Sequence, residues 1–229
     1  MDKQLAIAQA LKYAEELRTL HKSERRQRRA AEDALEQLED SYRTTVYALA
    51  AALELRDDET GGHAERVTHL ALELTRRVAP ELADDPKLEF GFLLHDIGKI
   101  GIRDAVLLKP GLLDPAELDE MRDHTLLGER LVHQIPYLDG VALEVVSSHH
   151  EWWDGNGYPH GLHGNEIPLV ARIFAIVDAF DAMTNDRPYR KARSLEAALA
   201  EIERCAGTQF DPELVNTFVG LVRELRSAA

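Results

Sequence analysis

The chain has 229 residues, which suits one domain with an extension, and its hydrophobic share of 45% is that of a globular protein. Its formal net charge of −14 argues against generic nucleic-acid binding, DNA included, because such binding needs a basic face. No apolar run approaches the roughly 18 residues of a membrane helix, so we expect no membrane span. Cys205 is the only cysteine, so an intrachain disulfide is impossible. Because the N-terminus also lacks a signal-peptide pattern, we expect a cytoplasmic protein.

Residues 1–50 carry the pattern of one long helix with a heptad seam along one side. We expect residues 1–43 to form a coiled-coil segment that joins two copies as a homodimer, and segments of this kind commonly connect an output domain to an upstream sensor. The alternative is a solvated helix that pairs with nothing, because the middle of the seam is polar. The seam consists of Ala10, Ala14, Leu17, His21, Glu24, Arg28, Ala31, Leu35, Leu38, Tyr42, Thr45 and Leu49.

The pattern stays helical almost throughout residues 44–229, so we expect a second, all-α domain there. A helix should run from His63 toward Val78, another should start at Asp85-Pro86 and end near Asp96, and a third should start at Asp114 with Glu117 three residues on. Further helices are expected over 138–150 and 168–186, and from Ser194 and from Asp211-Pro212. Two stretches with period-2 character, Lys99–Ile102 and Val106–Leu108, are expected to be short extended pieces.

Two helices carry polar residues where an apolar core is expected. His95-Asp96 closes the apolar stretch LEFGFLLHD, and Asp178 lies inside VARIFAIVDAFDAM with Asp181 one turn further on the same face. Buried imidazoles and carboxylates need partners, which are either hydrogen-bonding groups or a cation. Alone, His95-Asp96 is equally compatible with a helix C-terminus followed by an ordinary turn.

Five of the ten histidines have acidic or motif context, and with two aspartates they form a candidate metal-binding set from separated segments. Mixed nitrogen and oxygen ligands suit Mn, Fe, Co, Ni or Zn rather than Ca. The set exceeds one tetrahedral site, which favours two metal ions with a shared carboxylate, a frequent arrangement for phosphoester hydrolysis. The candidates are His63, His95, Asp96, His124, His149, His150 and Asp178.

Several long motifs occur in one order: TGGHAERV (60–67), LHDIGKIGIRDAVLLKPG (94–111), MRDHTLLGE (121–129), the run from SSHHEWWDGNGYP to DRPYRK (147–191) and GTQFDP (207–212). This order closely resembles the HD-GYP family, a branch of the HD phosphohydrolase superfamily. The resemblance implies an HD-domain helical bundle that hydrolyses cyclic di-GMP to linear pGpG and, in some members, to GMP.

The resemblance also implies roles for individual residues. The seven candidates above should bind two or three divalent ions, most commonly Fe or Mn, with Asp96 as the bridging and catalytic carboxylate. Lys99 should donate a proton or contact a phosphate. Glu59 matches a position that supports a third metal in some members, although DDET is equally an acidic turn before a helix. Substrate contacts are implied for Gly157, Tyr158, Pro159, Asp181, Arg187, Tyr189, Arg190 and Lys191.

Alternatives remain. The domain can be a non-catalytic receptor or interaction module, as in members that have lost ligands, or a hydrolase of another cyclic dinucleotide such as cyclic GMP-AMP. Arg103 departs from the proline usual in the family and can stiffen its loop or contact a phosphate. The roles of Trp152 and Trp153 are open.

Overall fold

The computed structural model describes residues 3–57, 61–186 and 191–228. In these ranges the protein is all-α, as predicted: it has no β-strand, only an isolated bridge between Ala206 and Phe210. Short 3₁₀ turns lie at Ile97–Gly101, Pro136–Leu138 and Gly164–Glu166. The helices are α1 (Lys3–Asp57), α2 (His63–Val78), α3 (Pro80–Ala83), α4 (Pro86–Leu93), α5 (Asp104–Leu107), α6 (Pro115–Arg122), α7 (His124–Val132), α8 (Val141–Ser148), α9 (Leu169–Thr184), α10 (Leu195–Arg204) and α11 (Pro212–Ala228).

Contacts divide the chain into two compact units, with the boundary between Thr45 and Val46. The first unit consists of the long part of α1, whose apolar seam residues Leu17, Leu35 and Leu38 are exposed. Exposed leucines at heptad spacing are available for a partner helix. The predicted division into residues 1–43 and 44–229, and the pairing of two copies, stay predictions.

Two apolar clusters form the core of the second unit. The larger cluster packs α2, α4, α9, α10 and α11 together, and its largest fully buried side chains include Phe92, Phe174 and Phe218. The smaller cluster brings Val46 and Ala50 of α1 against α4 and α8. Cys205 is buried and belongs to the larger cluster.

The helix starts follow the capping signals of the sequence. The carboxylate of Asp114 accepts hydrogen bonds from the backbone N–H groups of Ala116 and Glu117, which completes a capping box, and Ser194 accepts one from Ala197. Helix α2 has the predicted bounds, whereas α4 ends at Leu93, three residues before the predicted end near Asp96.

The predicted extended pieces are wrong. Lys99 lies in the 3₁₀ turn Ile97–Gly101, and Val106 lies in α5. The chain turns here because Gly98 packs directly on the backbone of α7: a Cβ on Gly98 would lie 1.8 Å from the carbonyl oxygen of His124. Short polar and apolar alternation is a weak strand signal when such tertiary packing opposes it.

None of the helices in the described ranges combines the length and the apolar character needed to span a bilayer.

Candidate metal centre

The helix ends of the second unit converge on one polar site. His63 and His124 are the first residues of α2 and α7. His149-His150 directly follows α8, and His95-Asp96 follows α4 after one residue, Leu94. Asp178 reaches the site from the middle of α9. All seven candidates from the sequence fall into two donor groups, and within each group the donor atoms lie within 4.8 Å of one another. The groups are Asp96, His124, His149 and His150, and His63, His95 and Asp178.

Asp96 lies between the two groups. Its Oδ2 lies 3.2 Å from Nε2 of His95, in one group, and its Oδ1 lies 3.2 Å from Nε2 of His124, in the other. Nε2 of His149 lies 3.8 Å from the same Oδ1. One carboxylate thus presents an oxygen to each group, which is the geometry that a shared ligand of two metal ions requires.

Four imidazoles share one orientation, in which Nδ1 faces a protein acceptor and Nε2 faces an acidic residue of the site. A backbone carbonyl only accepts hydrogen bonds, so Nδ1 of His95, His124 and His149 carries a proton, and Nε2 is the nitrogen placed to bind a metal ion. Outer acceptors of this kind are the usual supports of histidine ligands. The Nδ1 contacts are His63 to Asp181 Oδ2 (2.7 Å), His95 to Phe92 O (2.9 Å), His124 to Met121 O (2.7 Å) and His149 to Val145 O (3.1 Å).

Burial and neighbouring charges shift the pKa values of the ionisable groups of the site in different directions. Burial lowers the pKa of His124 to about 4 and that of His150 well below its ordinary value, so both rings are neutral near pH 7. Burial also opposes the charged form of His95, but the adjacent Asp96 outweighs it and raises the pKa of His95 to about 9. Burial opposes ionisation of Asp96, yet Lys99 and His95 hold its pKa well below the usual range. A carboxylate and neutral imidazoles are the forms that bind divalent metals.

The donor groups pack on apolar aromatic side chains, and α1 and Lys99 cover one side of them. The Phe174 ring lies 4.7 Å from the His95 ring and stacks on Phe92. The Lys99 ammonium lies 2.8 Å from Asp96 Oδ2 and 2.5 Å from Asp57 Oδ2. The residues therefore fit divalent metal ions: the donors are mixed nitrogen and oxygen, the supports are in place, and water access is restricted.

The GYP loop lies over this site. The ring of Tyr158 stacks on His150 with 4.8 Å between centroids, and the guanidinium of Arg122 lies 5.4 Å from the same tyrosine ring. Gly157 lets the loop pack closely on its own backbone, because a Cβ there would lie 2.2 Å from the backbone nitrogen of Trp152. Burial raises the pKa of Tyr158, so its phenol stays protonated.

Two anchors hold the loop in place. The buried carboxylate of Glu151 accepts hydrogen bonds from the backbone N–H groups of His160 (2.7 Å) and Leu162 (3.0 Å). Trp153 donates its backbone N–H to Gln209 and its ring lies under the guanidinium of Arg172. Trp153 therefore fastens the loop to the GTQFDP segment, whereas Trp152 is 38% exposed.

The predicted substrate contacts divide into three sets. Arg187, Tyr189 and Arg190 lie outside the described residues, as does Glu59, the predicted ligand of a third metal, and Lys191 pairs with Asp186 over 2.8 Å. Tyr158 borders the metal centre, with Gly157 and Pro159 on either side of it in the loop. The carboxylate of Asp181 contacts His63, Arg66 and Asn185 and is 7% exposed, which favours support of His63 over recognition of a guanine.

Sequence reasoning missed several residues of the site. Glu151 and Asp57 stand in acidic stretches without an obvious signal, and Arg56 and Arg122 resemble ordinary surface arginines. Arg103, the departure from the family pattern, forms an exposed ion pair with Glu120.

Comparison with known proteins places the chain in a family. A model described as "HD domain" matches residues 47–214. A cyclic di-GMP phosphodiesterase of Thermotoga maritima is 40% identical over 199 residues, which cover 86% of this chain and 54% of that protein. A 3′3′-cGAMP-specific phosphodiesterase of Vibrio cholerae is 38% identical over 177 residues, which cover 77% of this chain and 38% of that protein.

Among solved structures, an HDG"Y"P protein from Bdellovibrio bacteriovorus has the same fold, with a TM-score of 0.56, 18% identity, and coverage of 70% of this chain and 51% of that chain. The chain spans about half the length or less of these relatives. The comparisons confirm the resemblance to the HD-GYP branch that the motifs predicted. This chain belongs to the HD domain family.

Proposed function

We propose that the domain formed by residues 44–229 is a metal-dependent phosphodiesterase that hydrolyses cyclic di-GMP to linear pGpG, with further cleavage to GMP as the alternative end point. The observation that carries this proposal is the position of Asp96, whose two oxygens face two separate donor groups. The relative from Thermotoga, 40% identical, supports the choice of substrate.

The donor groups suit two divalent ions, with Fe or Mn as the proposed metals and Glu59 as the proposed ligand of a third. When bound, the ions would activate a water molecule as the nucleophile and offset negative charge on the phosphodiester. The remaining tasks belong to the protein: Asp96 holds the two groups together, and Lys99 stands at their edge with its ammonium against the Asp96 carboxylate.

An acidic chain needs local cations to hold a dianionic dinucleotide. Lys99 would contact a phosphoryl oxygen or give a proton to the departing 3′-oxygen. Tyr158 and Pro159, with Gly157 giving close access, form the proposed wall for the nucleotide, and Arg122 adds a cation at the edge of that wall. Arg187, Tyr189, Arg190 and Lys191 are proposed to contact phosphates or guanines, and Asp181 remains a weaker candidate for a guanine contact.

A second candidate substrate is cyclic GMP-AMP, because the 38% identical relative from Vibrio cholerae is named for that specificity. A receptor that binds a cyclic dinucleotide without cleaving it is the third candidate, and the presence of all seven predicted donors around one centre speaks against it.

Anaerobic turnover with chromatography of the products tests the proposal. The metal-loaded protein is incubated with cyclic di-GMP, cyclic GMP-AMP and cyclic di-AMP in parallel. Formation of pGpG supports the proposal, faster cleavage of cyclic GMP-AMP supports the second candidate, and tight binding without any product supports the receptor. A joint His95→Ala and Asp96→Ala variant provides the inactive control.

We propose that two copies pair through the heptad seam of α1 and that an upstream sensor domain or signalling partner acts through this helix, in the cytoplasm. The exposed leucines of the seam support the pairing.

A further inference from the structure

The last turn of α1 makes more contacts with the candidate metal centre than a structural extension requires. Arg56 donates from Nη1 to the carbonyl oxygen of Lys99 and from Nη2 to that of Ile102, both over 2.6 Å. The same Nη2 lies 2.8 Å from Oδ1 of Asp104. One guanidinium therefore joins the middle of the 3₁₀ turn, at Lys99, to Ile102, the residue that follows the turn.

The two neighbours of Arg56 on this turn contact the site as well. Asp57 pairs with the Lys99 ammonium over 2.5 Å, and both side chains are nearly buried. Glu54 accepts hydrogen bonds from the backbone N–H groups of Gly62 (2.8 Å) and Ala64 (2.6 Å), at the start of the helix that begins with His63. A single helical turn thus contacts the segments that carry Lys99 and His63.

We propose that the last turn of α1 is the positioning element of the active site, with Arg56 and Asp57 as the residues that set the place of Lys99. Arg56 fixes the backbone of the turn, and Asp57 holds the ammonium against Asp96. The planar guanidinium suits this task because its N–H groups form a rigid fork that reaches two carbonyls, whereas a lysine ammonium donates from one nitrogen on a flexible stem. A rotation or shift of the end of α1 would reach Lys99 through these contacts.

This inference rests on the proposed hydrolysis, so its test has one readout that is independent of activity. The rate of amide hydrogen exchange over residues 97–102, followed by mass spectrometry, reports how firmly the backbone of the turn is held. The variants are Arg56→Ala, Arg56→Lys and Asp57→Asn. Arg77→Ala is the matched control, because it removes an exposed arginine ion pair, with Glu224, that contacts neither of the two carbonyls.

In Arg56→Ala we expect faster exchange over residues 97–102, unchanged metal content, and a kcat about 10- to 100-fold lower, with a smaller change in KM. Arg56→Lys should lose less kcat, millimolar guanidinium should restore part of the kcat of Arg56→Ala, and Arg77→Ala should behave as the parent. Asp57→Asn should lower kcat without faster exchange, because it removes the charge of one of the two carboxylates that hold the ammonium and leaves the hydrogen bonds of Arg56 to the backbone in place.

If the exchange rate in Arg56→Ala equals that of the parent, the claim that Arg56 fixes the backbone of the turn is wrong. Faster exchange with the kcat of the parent would overturn the catalytic positioning. If the parent protein cleaves no cyclic dinucleotide, the proposed function fails, and the exchange and metal measurements still decide whether Arg56 fixes the turn.

Discussion

Asp181 Oδ2 lies 2.7 Å from Nδ1 of His63, and the same carboxylate accepts hydrogen bonds from Arg66. The pair is almost fully buried, and it sets the His63 ring so that Nε2 faces Asp178 over 3.5 Å. A metal ligand is thus oriented by a carboxylate that is itself held by an arginine. This arrangement accounts for the second aspartate on the apolar helix α9.

Asp181→Asn should weaken metal binding in the group of His63, His95 and Asp178. The substitution removes the charge that orients His63, and loss of such outer supports typically lowers metal affinity by about 10- to 100-fold. Competition with a coloured chelator measures the affinity. Asp139→Asn is the matched control, because Asp139 forms an exposed pair with His133 over 3.5 Å. Equal affinities in the two variants would contradict the role of Asp181.

Glu151→Gln should destabilise the GYP loop. The buried carboxylate accepts two backbone N–H groups, and an amide would turn one donor toward another donor. An unsatisfied buried donor costs about 1–3 kcal/mol, which urea denaturation measures as a lower midpoint. The exposed Glu144→Gln should show no comparable change. A midpoint equal to that of the parent would show that Glu151 is not the anchor of the loop.

Gly98→Ala should be severely destabilising. The added Cβ would lie 1.8 Å from the His124 carbonyl and 2.4 Å from the Gly128 nitrogen, and neither backbone atom can give way. Overpacking of this kind costs about 1–3 kcal/mol or more, and here it would also displace His124. Gly220→Ala provides a control of opposite sign, since nothing lies within 4 Å of its added Cβ. Alanine inside α11 should stabilise by about 0.4–1 kcal/mol.

The metal-free protein should contain a charged His95 beside a neutral His124 at pH 7.5. Burial disfavours a charged His95, but Asp96 outweighs burial and gives a pKa of about 9, while burial gives His124 a pKa of about 4. Nuclear magnetic resonance of labelled imidazoles measures both midpoints. Asp96→Asn should bring the midpoint of His95 below about 6.5, because burial remains and the carboxylate is gone. A midpoint of His95 below that of His124 would contradict the assignment.

Much of the fold and of the site is predictable from local patterns. Capping residues such as Asp114 and Ser194 mark helix starts because their side chains bond to neighbouring N–H groups. The donor residues stand out as polar groups in apolar stretches, and their family motifs identify the rest. The resemblance also implies Asp96 as the bridge, which stays a prediction; its two oxygens lie 3.2 Å from Nε2 of His95 and of His124.

Other features depend on contacts between distant segments, which no local pattern records. The turn at Lys99 follows from the packing of Gly98 on His124, so its short alternation was misleading. Arg56 contacts carbonyls more than 40 residues away, and Glu151 binds the loop that follows it. Backbone carbonyls and N–H groups have no signature in the sequence, so residues that act on them escape sequence reasoning.

Turnover of cyclic di-GMP by the parent and by Asp96→Ala, with metal content measured on the same samples, tests the central claim most directly. We predict about two ions per chain and pGpG as the first product for the parent. The variant should lose metal and form no product. Wild-type turnover by an Asp96→Ala protein that retains its full metal content would contradict the assignment of Asp96 as the shared ligand.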